Sequence, residues 1–191
     1  AAYYFYTKIF SPNIDLGEKE SIYLYIPSNA TYQQVLDSLY SKNAIQNKTT
    51  FEWVSELKKY PELVKPGKYL IKNQVSNNDL VNLLRSGKQE PVDVTFNNIR
   101  LKEDLAGRIS TQIEADSLSV LNLLNNSETV EKYGFTIENI LSMFVPNTYE
   151  FYWNTTPEEF LERMNKEYKK FWTEERLAKA EKIGLAPLEV S

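Results

Sequence analysis

Apolar and polar positions alternate through Ser21–Ile26 ("SIYLYI"), and β-forming residues fill the run, so it reads as a strand. "PSNA" makes a turn, and Thr31 caps a helix running to about Tyr40 with Val35, Leu36 and Leu39 on one face. Thr49–Tyr60 predicts a second helix, with Phe51, Val54 and Leu57 in register and a stop before Pro61. Lys65–Ile71 ("KPGKYLI") is a Pro-Gly turn followed by a short strand. Ser76 opens the next helix, Asp79 stands where a capping box places its acid, and Gly87 stops it.

Alternation returns in Pro91–Ile99, where Val92, Val94 and Phe96 face one way. Leu101–Ile113 predicts a helix striped by Leu105, Ile109 and Ile113, and two or three short helices follow to about Met143. From Pro157 to about Trp172 an amphipathic helix aligns Phe160, Met164, Tyr168 and Phe171. Glu159/Arg163 and Glu162/Lys166 are spaced as i,i+4 pairs on its wet side. Another helix ends near Gly184. Pro187 is placed to open one more, with Glu189 complementing its positive end. A stop at Ser191, one turn into that helix, is what an N-terminal fragment of a longer protein would show. This order of elements is α+β with small sheets rather than doubly wound α/β. "YLYIPSNATYQQVLDSL" and "DVTFNNIRLKEDLAGRI" echo each other at a fixed offset of 70, placing Ile26 on Phe96, Val35 on Leu105 and Leu39 on Ile109. Two copies of one supersecondary unit and a chance likeness both fit that echo. Asn-x-Ser/Thr triplets at Asn29, Asn47, Asn125 and Asn154 read as polar turns and caps.

Composition narrows the chemistry. The 191 residues suffice for one sizeable domain or two small ones, and 42% hydrophobic with 25% charged residues is the make-up of a folded protein. A net charge of −4 lacks the basic surplus of a nucleic-acid binder. There is no Cys and no His. Disulfides, thiol chemistry and a Ser-His-Asp triad are therefore excluded, and a conventional zinc site would lack its usual nitrogen and sulfur ligands. Catalysis would fall to carboxylates, Lys, Tyr or Ser. No apolar run reaches the roughly 18 residues of a membrane span. The opening "AAYYFYTKIF" gathers aromatics around Lys8. That suits the water interface just outside a span, or else a tag remnant with a first ordered segment.

Met143–Phe160 ("MFVPNTYEFYWNTTPEEF") sets six aromatic residues around Glu150, the one carboxylate so embedded. If extended, Tyr149, Phe151 and Trp153 share one face, and Glu150 and Tyr152 the other. Asn147, Thr148, Tyr149 and Glu150 are candidates to line a saccharide cleft; alternatively Pro-Asn-Thr is a turn and the aromatics are core. The acid pairs Glu103-Asp104, Glu158-Glu159 and Glu174-Glu175 read as helix-dipole complements or wet-face charges.

From about Glu20 to Ser191 these segments resemble one family, and the Pro146-Asn147-Thr148-Tyr149 box is the most specific of them. "IYLYIPSNATYQQVLDSLYSKNAI…VKPGKYLI" resembles a LysM-like βααβ module. The sequel through "FVPNTYEFYWNTT" resembles the endolytic murein transglycosylases of the YceG-like (MltG-type) family, often labelled aminodeoxychorismate lyase-like. The resemblance implies an α+β chain of three parts: a membrane-proximal segment (1–19), a LysM-like module (20–88), and a mostly helical, truncated N-terminal part of the catalytic domain with small sheet elements (89–191).

It further implies a periplasmic region of a single-pass inner-membrane protein, anchored by an N-terminal helix absent from this chain. The activity implied is a lytic transglycosylase, a lyase that cuts nascent peptidoglycan strands internally to 1,6-anhydro-MurNAc ends. No cofactor and no metal is implied. Partners would be peptidoglycan glycan strands and cell-wall synthesis proteins. The family's catalytic Glu lies in an Ala-Ser-Ile-x-Glu-x-Glu motif after a segment like "GLAPLEVS". That motif is absent here, so it is expected just beyond Ser191. No residue of this chain takes the catalytic role, and residues 1–191 alone are expected to be inactive. The competing class is a non-catalytic peptidoglycan-binding or cell-wall scaffold module.

Overall fold

The computed structural model describes residues 2–97 and 99–186. Its contacts divide the chain into two compact units, residues 1–91 and 92–191. In the first, helix α1 (Ala2–Phe10) precedes strand β1 (Ser21–Ile26), helices α2 (Tyr32–Ser41) and α3 (Lys48–Leu57), strand β2 (Gly67–Lys72) and helix α4 (Asn77–Ser86). The two strands pair antiparallel, from Ser21 opposite Lys72 to Ile26 opposite Gly67. Period-2 alternation turns Leu24, Ile26, Tyr69 and Ile71 inward, where they are sealed from solvent. The core they join includes Val35 and Leu39 of α2, Phe51 and Val54 of α3, and Leu80 and Leu84 of α4. Each such burial stabilises the unit by roughly 1.5–3 kcal/mol.

Local chemistry sets the helix ends. The Thr31 hydroxyl and the Gln34 side chain form a reciprocal capping box on α2, and Asn47 caps α3 by accepting from the Thr50 amide. Ser76 caps α4 by accepting from the Asp79 amide at 3.1 Å, and its hydroxyl donates to the Asp79 carboxylate at 2.8 Å. Gly87, at φ +74°, ends that helix in the left-handed conformation that a side chain disfavours.

Residues before β1 belong to the same core. Ile14 is fully buried, and Asn13 donates to the Asn77 side-chain oxygen at 2.7 Å and to the Asn47 carbonyl at 3.0 Å. Asn77 in turn donates to the Thr50 hydroxyl at 3.1 Å and to the Lys8 carbonyl at 3.0 Å. A buried amide pair satisfied in this way locks the N-termini of α3 and α4 to the preceding segment.

One helix is shorter than its pattern predicts. α3 stops at Leu57; Lys59 adopts φ +56°, and a 3-10 turn follows at Tyr60–Glu62 with Pro61 inside it. Pro61 has no N–H to give the Leu57 carbonyl four residues back, and its ring would clash with that carbonyl, so the helix cannot run on through it. The buried side of α3 is Thr50, Phe51, Val54 and Ser55, leaving Leu57 59% exposed instead of in the core.

The second unit runs β3 (Pro91–Phe96, whose first residue is the last of the first unit), α5 (Lys102–Ser110), α6 (Ser117–Leu124), α7 (Ser127–Glu131), a 3-10 turn (Ile140–Met143), β4 (Asn147–Tyr152), α8 (Pro157–Phe171) and α9 (Glu174–Lys182). β3 and β4 form its two-stranded sheet. β3 ends at Phe96 rather than Ile99, and α5 at Ser110 rather than Ile113, although Ile113 is still buried beyond it. The core gathers Val94 and Phe96, Leu105 and Ile109, and Phe160 and Met164. On α8 the Glu162–Lys166 pair forms at 2.9 Å, but Glu159 does not pair with Arg163. Its carboxylate accepts from the Thr156 amide at 3.0 Å in a capping box, and Arg163 pairs with Glu167 at 2.9 Å instead. Two features predicted from the pattern, a helix opening at Pro187 and the acid Glu189 at its start, lie outside the described residues. The four triplet asparagines occupy turns and caps: Asn29 at φ +94°, Asn47 and Asn125 at helix ends, and Asn154 in the turn after β4.

The architecture is α+β, and its two units share a plan. β3 repeats the bounds of β1 at an offset of 70, and α5 begins 70 residues after α2. β4 repeats the bounds of β2 at an offset of 80, and α8 begins 80 residues after α4. The ten extra residues lie between α5 and β4, where α6, α7 and a 3-10 turn stand in place of α3 and its turn. Ser76 and Thr156 are equivalent caps, with Asp79 and Glu159 each three residues on.

Candidate functional site

The Pro-Asn-Thr-Tyr box opens β4. Asn147 is exposed at the strand's first position, and its side-chain oxygen accepts from the Thr148 amide at 2.8 Å. From there the strand alternates, with Tyr149 and Phe151 buried and Thr148, Glu150 and Tyr152 exposed. The inward face is core. The Tyr149 ring stacks on Phe96 at a centroid distance of 5.6 Å, and its hydroxyl donates to the Val145 carbonyl at 2.7 Å. Burial pushes the Tyr149 hydroxyl pKa up; the Glu167 carboxylate adds to the rise and the Arg163 charge opposes it. Phe151 and Phe144 both pack on Phe160, at 5.2 and 5.8 Å. Trp153, expected on the face of Tyr149 and Phe151, falls in the turn after β4 and is half-buried; its carbonyl accepts from the Glu114 amide at 2.7 Å.

The first unit repeats the tyrosine's bond. Tyr69, 80 residues before Tyr149, is buried and donates to the Lys65 carbonyl four residues upstream at 3.0 Å. Each hydroxyl thus ties its strand back onto the residue before the strand's leading proline, Pro66 or Pro146.

The outward face of the second sheet is polar. The Thr148 and Thr95 hydroxyls are 2.8 Å apart, and Glu150 and the 56% exposed Tyr152 continue the face along β4. The Thr95 amide donates to the Gln112 side chain at 3.0 Å, which ties β3 to the end of α5. Of the four candidate residues, Thr148 and Glu150 share this face, Asn147 sits at its edge, and Tyr149 is turned away from it. Thr95 was missed by sequence reasoning. Alternation in "PVDVTF" set it opposite Val94 and Phe96, but nothing local named β4 as the strand beside it.

Such a surface can present hydroxyls, a carboxylate and a ring to a polyol. It does not surround Glu150 with the apolar groups on which a carboxyl acting as a general acid depends. Among the described residues no three Asp or Glu side chains are grouped to hold a metal ion.

Comparison with known proteins gives the following. Residues 24–191 match the model of the YceG-like family. A solved structure of a YceG-like protein from Listeria monocytogenes is similar at 20% sequence identity and a TM-score of 0.47, over 89% of this chain. This chain spans 61% of the length of that one. No curated protein matches the sequence.

Proposed function

The chain belongs to the YceG-like family, and from that membership we propose that it is part of a peptidoglycan lytic transglycosylase cutting glycan strands internally. The observation that carries the reading is the family match across residues 24–191, which takes in both units. In this reaction one carboxylic acid protonates the glycosidic oxygen as the bond from C1 of MurNAc breaks. The resulting carboxylate then takes the proton of the MurNAc 6-hydroxyl as its oxygen bonds to C1. The product is a 1,6-anhydro ring, and no water is consumed. One acid suffices, unlike the carboxylate pair of most glycoside hydrolases.

In this reading the catalytic acid lies outside residues 1–191. The second unit supplies one wall of the saccharide cleft through Asn147, Thr148 and Glu150, with Tyr149 holding the strand in position from behind. The β1-α2-α3-β2 arrangement is a LysM-like module that engages the glycan. The chain faces the periplasm, next to an inner-membrane anchor that precedes it; among the described residues no helix is long and apolar enough to cross a membrane.

The test is release of anhydro-muropeptides from purified glycan strands. Residues 1–191 alone are expected to release none, and a longer form carrying the Ala-Ser-Ile-x-Glu-x-Glu segment to release them. Products with reducing MurNAc ends would replace the transglycosylase reading with a hydrolase. Binding without any cleavage by the longer form would favour a scaffold.

A further inference from the structure

Helices α1 and α3 share an exposed apolar face that takes no part in the first unit's core. The core side of α3 is Thr50, Phe51, Val54 and Ser55. Trp53 and Leu57, one helical turn apart, lie outside it and are 38% and 59% exposed. The Trp53 ring meets the Phe5 ring of α1 at a centroid distance of 5.8 Å. From Phe5 the apolar surface runs on along α1, where Tyr3, Tyr4, Tyr6 and Phe10 are all exposed. Tyr4 and Phe5 pack edge to face at 5.9 Å, and the Tyr6 and Phe10 rings lie 5.0 Å apart. α1 is fastened to the first unit: Ile9 packs on its core, and the Asn77 side chain donates to the Lys8 carbonyl at 3.0 Å. The two helices therefore present these side chains as one surface.

Charge is sorted across the same helices. α1 carries no acid and one base, Lys8, whose ammonium lies 4.7 Å over the Tyr4 ring. The acids of α3 turn the other way, toward α2. Glu52 accepts from the Tyr40 hydroxyl. The phenol of Tyr32 is pushed up first by burial, and then by the charges of Glu52 and Glu56. Lys58, next to Leu57, donates to the Asn82 side chain of α4. A contiguous exposed apolar patch marks an interaction surface, and the make-up of this one names the kind of partner. Tyrosine and tryptophan pair an apolar body with a polar edge. Beside a lysine and away from acids, they are the side chains enriched where a bilayer meets water.

We propose that the shared α1–α3 face lies on the surface of a lipid bilayer, with its rings at the level of the headgroups. Phe5, Trp53 and Leu57 supply apolar area to the boundary between headgroup and acyl chain. Lys8 adds an attraction to anionic headgroups that weakens with salt. The contact is made by the folded first unit, so it is separate from any membrane-spanning anchor. It does not depend on the transglycosylase reading. It fixes which side of the first unit faces the bilayer, because α1 and α3 are held together by the Phe5–Trp53 contact and by the bond from Asn77.

The test is co-sedimentation of residues 1–191 with vesicles of mixed phosphatidylglycerol and phosphatidylcholine. Binding is expected, and it should fall about tenfold or more when Trp53 and Leu57 are both replaced by serine. Phe5→Ser with Tyr6→Ser should weaken it as much. Lys8→Gln should weaken it at low salt and have little effect at high salt. Leu118→Ser removes an exposed apolar side chain from the second unit and should leave binding unchanged. Melting curves check that each variant remains folded. With Trp153→Phe and Trp172→Phe in place, Trp53 is the single indole, and brominated lipids should quench its fluorescence. Failure of the unaltered chain to bind vesicles, or an indole at Trp53 that bromine does not reach, would overturn the inference. Binding that survives the Trp53 and Leu57 pair would confine the contact to α1 and overturn the shared face. A dimer that forms through the same residues without vesicle binding would replace the bilayer with a second copy of the chain.

Discussion

At the scale of single residues, the buried tyrosines are the most informative. Tyr149 resembles a sugar-stacking residue in a box of polar neighbours, yet its ring lies on Phe96 and its hydroxyl closes onto the Val145 carbonyl. Tyr69 makes the same closure onto Lys65. The shared geometry assigns this tyrosine to the fold, and its neighbours Thr148 and Glu150 to the surface. Tyr149→Phe deletes the bond to Val145, and Tyr69→Phe deletes a donor shared between the Lys65 carbonyl and, at 3.3 Å, the Pro66 carbonyl. Each is expected to lower stability by about 1 kcal/mol, read by urea denaturation, without changing the peptidoglycan affinity of the folded protein. A loss of affinity in Tyr149→Phe at unchanged stability would return that residue to the cleft. The period of two in "NTYEFYW" told which residues travel together. It could not tell which set goes inward, because both sets contain aromatics.

Elements were legible where a cap or a breaker stood beside a clear apolar stripe; α6, α7 and α9 are capped by Asp116, Asn126 and Thr173, yet their short or weakly striped sequences left those starts unread. Thr31, Ser76 and Gly87 end their helices as the sequence predicts, since a hydroxyl three residues from a free amide acts locally whatever the fold. α3 was drawn three residues too long because Leu57 continues the apolar register, while the backbone before Pro61 turns away from helix. Glu159 shows two local rules in competition. Its spacing to Arg163 suits a surface pair, but the cap at Thr156 claims the carboxylate. A surface pair contributes little, whereas a capping group satisfies amides that have no partner within the helix. Thr156→Ala should therefore cost about 1 kcal/mol. A double-mutant cycle should find coupling between Thr156 and Glu159, and close to none between Glu159 and Arg163. Measurable coupling in the second pair would show that the capping box opens in solution.

For the whole molecule, the charge inventory predicts how stability follows pH. In the folded chain the carboxyls of Asp15, Asp116, Glu138 and Glu162 are held below their ordinary values. Hydrogen bonds cause this: the Gly17 amide and Gln46 on Asp15, Ser119 on Asp116, Thr136 on Glu138, and Lys166, aided by its charge, on Glu162. The unfolded chain binds these protons first, so their contribution is present at neutral pH and is lost as pH falls below about 4. Burial raises the phenols of Tyr60 and Tyr40, and pushes Tyr69 up to about 12. Their contribution is complete below about pH 10 and is lost above it as the unfolded phenols ionise. With no His or Cys to titrate between, the melting temperature should be flat from about pH 6 to pH 9 and fall on both sides. A step near pH 6.5 would contradict this account. By itself the sequence determined the α+β class, the first three strands, the starts of α2, α3, α4, α5 and α8 to within a residue or so, and the family to which residues 24–191 belong. Those depend on period, caps and turn residues, all of which act within a few positions along the chain. Only the tertiary structure decided that Asn13 bonds Asn77 across 64 residues, that Thr95 meets Thr148 across 53, and that Tyr149 rather than Thr148 turns inward. Burial and strand partnership are settled by which distant surfaces exclude water together, and no local window of sequence contains both of them.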